Sequence, residues 1–248
     1  MRFMVMHKVD ERMEAGAPPD QKIIQQMGAL VQESLKNGTF ISGAGLRPSA
    51  QRARITRQGS EWIEEHGPFA GENELVASFA MVRAESMSGA LAHARRFAEA
   101  SASPTVEVGL VVEPWDIGVM PKPSGVVPQR FLVVGKGDAA FERGEVSLAQ
   151  QRAAIEELGR AIVAGGGALL ASGTLAPSAE GVRSAPTPGK RSWIDGPFAE
   201  SKELIAGFSV LERSTRADAI AWADRYAAIL TVSEIDVREL TSFEIGAA

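Results

Sequence analysis

The sequence predicts an α+β fold: two tandem copies of one βαββαβ unit, each with an inserted hairpin, their sheets packed face to face within one chain. Three observations predict it. The chain repeats itself, each copy alternates short β-rich runs with helix-period segments, and a proline-rich stretch separates the copies.

The repeat comes first because it sets the architecture. Arg2-Phe3-Met4-Val5 recurs as Arg130-Phe131-Leu132-Val133, and Lys8 and Asp10 fall on Lys136 and Asp138. One residue is then gained, and an offset of 129 holds from there on. Leu46, Pro48, Ser49 and Ala50 match Leu175, Pro177, Ser178 and Ala179, and Arg54 matches Arg183. Gly67-Pro68-Phe69-Ala70 matches Gly196-Pro197-Phe198-Ala199, and Glu74, Leu75, Ala77 and Phe79 match Glu203, Leu204, Ala206 and Phe208. About a third of this stretch is identical, far above chance for an ungapped alignment. Residues 1–114 form the first copy and 130–243 the second. Residues 115–129 carry Pro121-Lys122-Pro123-Ser124-Gly125 and Pro128, and proline disfavours helix, so this segment reads as an extended linker.

In the second copy, Arg130–Lys136 is a β-rich run. Ser147 with Gln150 forms a capping-box pattern ahead of Leu148, Ile155, Leu158 and Ile162 at helical spacing. Gly165-Gly166-Gly167 follows that helix; a phosphate loop would open a helix, so these glycines read as a C-cap. Ala168–Leu175 is a strand, and Val182–Ala185 and Arg191–Ile194 flank Pro186-Thr187-Pro188-Gly189 as a hairpin. Leu204–Glu212 is a strand, Thr215 with Asp218 opens a helix through Tyr226 and Ile229, and Glu234–Leu240 closes the copy. The first copy repeats this with Arg2–Lys8, a helix from Asp20, Thr39–Leu46, a hairpin around Gly59, Leu75–Arg83, a helix from Ser86 and Val106–Val112. Without the hairpin the order is the ferredoxin-like split βαβ pattern. Helices cover one face of such a sheet, so its twin is expected to cover the other, giving an intrachain pseudo-dimer. Phe69 and Phe198 are expected to anchor the core.

Composition excludes several function classes. A net charge of −5, with no long basic cluster, disfavours a nucleic-acid surface. The absence of cysteine excludes disulfides and thiol chemistry, and three histidines (His7, His66, His93) make a His-rich metal site unexpected. No segment reaches the length of an apolar membrane span, and the N-terminal apolar run is too short for a signal peptide, so a cytoplasmic location is expected. No nucleotide motif is visible, and no cofactor is expected.

The densest polar segment is Asp195-Gly196-Pro197-Phe198-Ala199-Glu200-Ser201-Lys202-Glu203. It resembles the signature of the YCII-related family, in its DGPF branch, whose motif runs Asp-Gly-Pro-Phe-Ala-Glu-Thr/Ser-Lys-Glu. Gly173–Pro177 and Ile235-Asp236-Val237-Arg238 are also similar to that family, and the resemblance covers both copies. It implies a dimeric α/β-barrel built from ferredoxin-like units, and it implies little about activity. Fold relatives include small-ring isomerases, monooxygenases and ligand-binding modules. Related genes often neighbour those for extracytoplasmic-function sigma factors, which keeps a regulatory or protein-binding module as the alternative.

Asp195 reads either as a general acid or base or as the cap of its own turn. Glu200, Lys202 and Glu203 read as substrate contacts or as a solvated loop. Arg183 and Arg238, on strands, bind a carboxylate or phosphate if they face the twin sheet, and are solvated if they do not. In the first copy Asp195, Glu200, Lys202 and Arg238 become His66, Gly71, Asn73 and Gly109, so that copy reads as a scaffold that has lost charge. His66 is the alternative base, since histidine titrates near neutrality. The expectation is a small-molecule site in the second copy, with proton-transfer chemistry of isomerase or lyase type if it is catalytic. The chain is expected to bind neither nucleic acid nor membrane, and further homo-oligomers remain open to it.

Overall fold

A computed structural model describes residues 1–71, 75–125, 127–164, 168–185, 191–198, 204–232 and 234–246. In chain order the elements are β1 (Arg2–Lys8), α1 (Glu11–Glu14), α2 (Gln21–Lys36), β2 (Phe40–Gly45), β3 (Ala53–Gln58), β4 (Glu61–His66), β5 (Val76–Ala84), α3 (Met87–Ala100) and β6 (Thr105–Leu110). The second copy follows with β7 (Gln129–Lys136), α4 (Ala139–Glu142), α5 (Leu148–Ala164), β8 (Ala168–Leu175), β9 (Val182–Ala185), β10 (Ser192–Asp195), β11 (Ile205–Glu212), α6 (Arg216–Leu230) and β12 (Ile235–Ile245). The long elements fall where the sequence places them. The short helices α1 and α4 are additional; Asp10 and Asp138 nucleate them by accepting from the backbone N–H of Met13 and Phe141.

Local chemistry fixes the helix starts. Ser86 caps α3 by accepting from Gly89 N, and Thr215 and Asp218 form a reciprocal capping box at α6. The central strands β1, β5, β7 and β11 are buried along nearly their whole length because both of their faces are covered. In β1, Phe3 and Val5 face a helix layer while Met4 and Met6 face the opposite half of the sheet. Trp222 and Tyr226 of α6 stack 5.1 Å apart in that helix layer, beside Leu30 of α2.

The strands form one antiparallel sheet in the order β2-β11-β1-β12-β8-β5-β7-β6-β3-β4, with the β9–β10 hairpin pairing to β12. The sheet is strongly curled, so its inner face meets itself. Met4, Met6, Phe208 and Val210 from one half pack with Phe79, Met81, Leu132 and Val134 from the other. Leu240 pairs with Leu175 where β12 meets β8. The same positions in the other copy pair as a single bridge between Leu46 and Val111, which returns the β2 end to β6. Opposed faces were expected; a continuous sheet joining them was not.

A second difference is larger. Each copy was expected to supply its own sheet, but β1 pairs with β11 and β12, and β5 pairs with β7 and β8. The opening half of the first copy therefore lies with the closing half of the second, and vice versa. The repeat explains why: the two copies present interchangeable strand edges, and the chain crosses between halves after β2 and again after β8. Residues 53–175 run continuously through one half of the sheet, while the other half is built from both ends of the chain.

The linker is only partly extended. Its first residues turn back and are anchored by Asp116, which pairs with Arg47 at 2.8 Å, while Glu113 and Arg130, flanking the linker, pair at 2.6 Å. Residues 121–125 are exposed. A protease site inserted there and cut is expected to leave the two fragments co-eluting under native conditions, because exchanged strands hold them together. Separation into two folded monomers by size-exclusion chromatography would contradict the exchange.

Candidate functional site

In each copy the Gly-Pro-Phe segment folds back on the turn that follows the second strand. Ser49 and Ser178, fully buried, anchor that turn, and their hydroxyls accept from Phe69 N and Phe198 N, both at 3.0 Å. Gly67 and Gly196 approach the Ser49 and Ser178 carbonyls so closely that a Cβ would overlap them, so only glycine fits. Ser49 N donates to Glu14, and its hydroxyl also contacts that carboxylate; Ser178 N donates to Glu142 at 2.8 Å.

Beside each turn lies a buried ion cluster that draws on both copies. Arg183 grips Asp236 with two hydrogen bonds, Nε to Oδ1 at 2.6 Å and Nη2 to Oδ2 at 2.9 Å, and lies over the Phe198 ring at 4.4 Å. Lys8 of the first copy reaches the same Asp236 at 3.0 Å. The twin cluster places Arg54 on Glu107 at 2.6 Å and over the Phe69 ring at 4.3 Å, with Lys136 of the second copy 3.4 Å from Glu107. Burial alone would raise both carboxyl groups. The cations outweigh it: Lys8 and Arg183 hold Asp236 below its ordinary value, and Lys136, Arg52 and Arg54 hold Glu107 at about 2.

Arg238 is buried and its guanidinium donates to the carbonyl of Ala176. Its counterpart Gly109 looks like a loss of charge in the alignment. The structure returns that charge from the neighbouring strand: Arg52, at the position matching Gly181, donates to the carbonyl of Arg47, the position matching Ala176. Arg52 also donates to Glu107 at 3.1 Å and to Ile205 O at 2.9 Å. Glycine stands opposite the arginine in both cases, and a Cβ on Gly181 would overlap Arg238 Cδ. The same guanidinium site is thus filled from opposite strands, and the first copy keeps its buried charge here.

Asp195 ends β10 with its side chain 72% exposed, 3.0 Å from Arg216. No described cavity includes it. His66, its counterpart, is also exposed and lies 3.1 Å from Glu64. Neither residue meets the buried clusters. Glu200, Lys202 and Glu203 lie outside the described residues, as do Asn73 and Gly165–Gly167. Phe198 is buried as expected, but Phe69 is half-buried and faces a cleft.

That cleft, about 900 Å³, lies between the β1–α1 turn and the Phe69 loop. Lys8, Asp10 and Glu14 line one side, Phe69 and Ala70 a second, and Leu204, Val232 and Glu234 a third. Glu234 also meets Arg183 at 3.4 Å, which ties the rim to the buried cluster. Behind it, His7 is buried, and its Nδ1 lies 2.8 Å from the Tyr226 hydroxyl. Burial pushes the imidazole down to about 4, against a weaker upward pull from Asp10, and burial pushes Tyr226 up. Gly207 makes room for the ring: a Cβ there would meet His7 Cε1. In the twin the matching positions are Gly135, Phe97 and Ser78, with Ser101 and Ser103 hydrogen-bonded beside them at 2.9 Å. The His7–Tyr226 pair is therefore particular to one half. Among the described residues no group of three His, Asp or Glu side chains is placed to hold a metal ion, and no helix is long and apolar enough to cross a membrane.

The family model for the YCII-related domain matches residues 1–115 and again residues 136–244, so the chain belongs to that family and carries its domain twice. No curated protein and no solved structure matches it.

Two outcomes follow from these contacts. Gly181→Arg alone crowds Arg238, and Arg238→Gly alone leaves buried acceptors without their partner, so each is expected to cost roughly 3 kcal/mol. Gly181→Arg combined with Arg238→Gly recreates the first copy's arrangement and should recover most of that loss in a denaturant-based double-mutant cycle. For His7 the folded value lies below the unfolded one, so the unfolded chain binds more protons between pH 6.5 and about 4. Stability should therefore fall as pH drops through that window, by up to about 3 kcal/mol, and His7→Gln should flatten the fall. Glu107, with its depressed value, adds a separate loss between 4.5 and about 2 that His7→Gln leaves in place.

Proposed function

We propose that this YCII-related protein is a small-molecule-binding module whose ligand sits in the cleft between the β1–α1 turn and the Phe69 loop. One observation carries the reading: the first copy's Gly-Pro-Phe-Ala loop, through Phe69 and Ala70, meets Leu204, Val232 and Glu234 of the second copy across this cleft. The cleft falls in the range of size and mixed lining that small-molecule sites share, with an apolar wall from Phe69, Leu204 and Val232 and a charged rim from Lys8 and Glu234. Glu200, Lys202 and Glu203 directly precede Leu204 in the sequence, and their signature character supports them as ligand contacts. In this reading Arg183 positions Glu234 and Asp236, Arg238 braces the turn behind them, and Asp195 has no part in the ligand site. The sequence Asp195-Gly196-Pro197-Phe198 supports the DGPF branch of the family, and the strand orders β12-β1-β11-β2 and β6-β7-β5-β8 support two ferredoxin-like units, each assembled from both copies.

Binding is a better match to the geometry than proton transfer. The buried carboxylates Asp236 and Glu107 are saturated by cations, and His7 is neutral and engaged by Tyr226. A thermal-shift screen of polar metabolites should yield compounds that stabilise the wild type, by about 2.7 kcal/mol at a hundredfold excess over Kd. Phe69→Ala and Glu234→Gln should each weaken that shift while Asp195→Asn leaves it unchanged. Hits that depend on Asp195 and are indifferent to Phe69 would move the site to the hairpin.

A further inference from the structure

At the other end of β1 lies a second cavity, of about 590 Å³, lined by Thr39, Arg213, Ser214, Asp218, Trp222 and Arg225 among others. Its charges are unequally engaged. Asp218 accepts from Thr215 N and Oγ1 in the capping box, Glu212 is 3.6 Å from Arg2, and Arg225 holds Glu33 through two bonds of 2.7–2.8 Å. Arg213 has no ion pair within 4.0 Å among the described residues, and its Nε is buried without a hydrogen-bond partner. A buried donor left unsatisfied is costly, and a planar guanidinium is built to grip an oxyanion with two parallel bonds.

The twin shows that the fold does not need this arginine. The position matching Arg213 is Ala84, and that matching Thr39 is Ala168. One half of the protein thus completes the same strand end with a small apolar residue, while the other installs an arginine over a cavity. Burial disfavours the Arg213 cation most, and the nearby Arg225 charge adds to this against the opposing pull of Asp218 and Glu33, leaving its pKa lowered; an anion in the cavity would offset the burial and the Arg225 repulsion.

We propose that this cavity is a binding site for a small oxyanion, carboxylate or phosphate, with Arg213 as the group that grips it. The site is independent of the Phe69 cleft, which opens at the Lys8 end of the same strand.

Isothermal titration with inorganic phosphate and with acetate, against chloride at equal ionic strength, tests it on the full chain. The wild type should bind at least one of the two anions above the chloride response, and which one binds distinguishes phosphate from carboxylate. Arg213→Met should weaken that binding by roughly tenfold or more, whereas Arg160→Met, on the exposed face of α5, should leave it unchanged. Equal responses to phosphate, acetate and chloride, or unaltered anion binding by a folded Arg213→Met protein, would overturn the proposal. Phe69→Ala should retain the anion response, which keeps this site's outcome separate from that of the cleft.

Discussion

The carboxylates of the two buried ion clusters, Asp236 and Glu107, are each neutralised by a lysine from the other copy. Lys8 reaches Asp236, and Lys136 reaches Glu107, with an arginine completing each cluster from the carboxylate's own copy. An uncompensated charge at such depth would be far costlier than an unmade surface contact. The pairs therefore tie the first strand of one copy to the last strand of the other, the same connection that the β1–β12 and β7–β6 ladders make through the backbone. Neither copy can satisfy its own carboxylate and its own opening strand alone. Strand exchange, curled sheet and opposed inner faces are one arrangement seen at three scales.

Much of this was legible in the sequence. The repeat, the long helices and strands, the caps at Ser86 and Thr215 and the tight glycine turns all follow from residue pattern and local chemistry, because such features depend on neighbours a few positions away. Pairing between strands does not. In a chain that contains the same edge twice, alternation says which face is buried but not which copy supplies the partner, so β1 was assigned to the wrong neighbours. The site residues divided in the same way. Phe198 and Arg183 were found because they sit in or beside a visible motif. Glu107, Ser49 and Glu14 were missed because a lone acid or serine in a strand or turn carries no local signal of burial.

Differences between the copies also come in pairs. Positions 52 and 109 read Arg and Gly, and their matches 181 and 238 read Gly and Arg. Taken singly, Gly109 looks like decay; taken as a pair, the two changes cancel. A repeat is its own small alignment, and compensated differences within it mark residues that touch. The His7–Gly207 pair against Gly135–Ser78 follows the same logic, with a large ring admitted only where the facing position has no side chain to obstruct it.

The discontinuous half of the sheet has a consequence for how the chain comes into being. As the protein is synthesised, β1 and β2 emerge before the stretch from β3 to β8, yet their partners β11 and β12 are made after it. The stretch from β3 to β8 can close on itself as soon as it leaves the ribosome, while the opening strands wait with apolar edges unpaired. The ordering is that of a clasp: the middle sets first, and the strands on either side of it in the chain lock together only once β11 and β12 have been made. The first strands are thus the segment most exposed to wrong partners in the meantime.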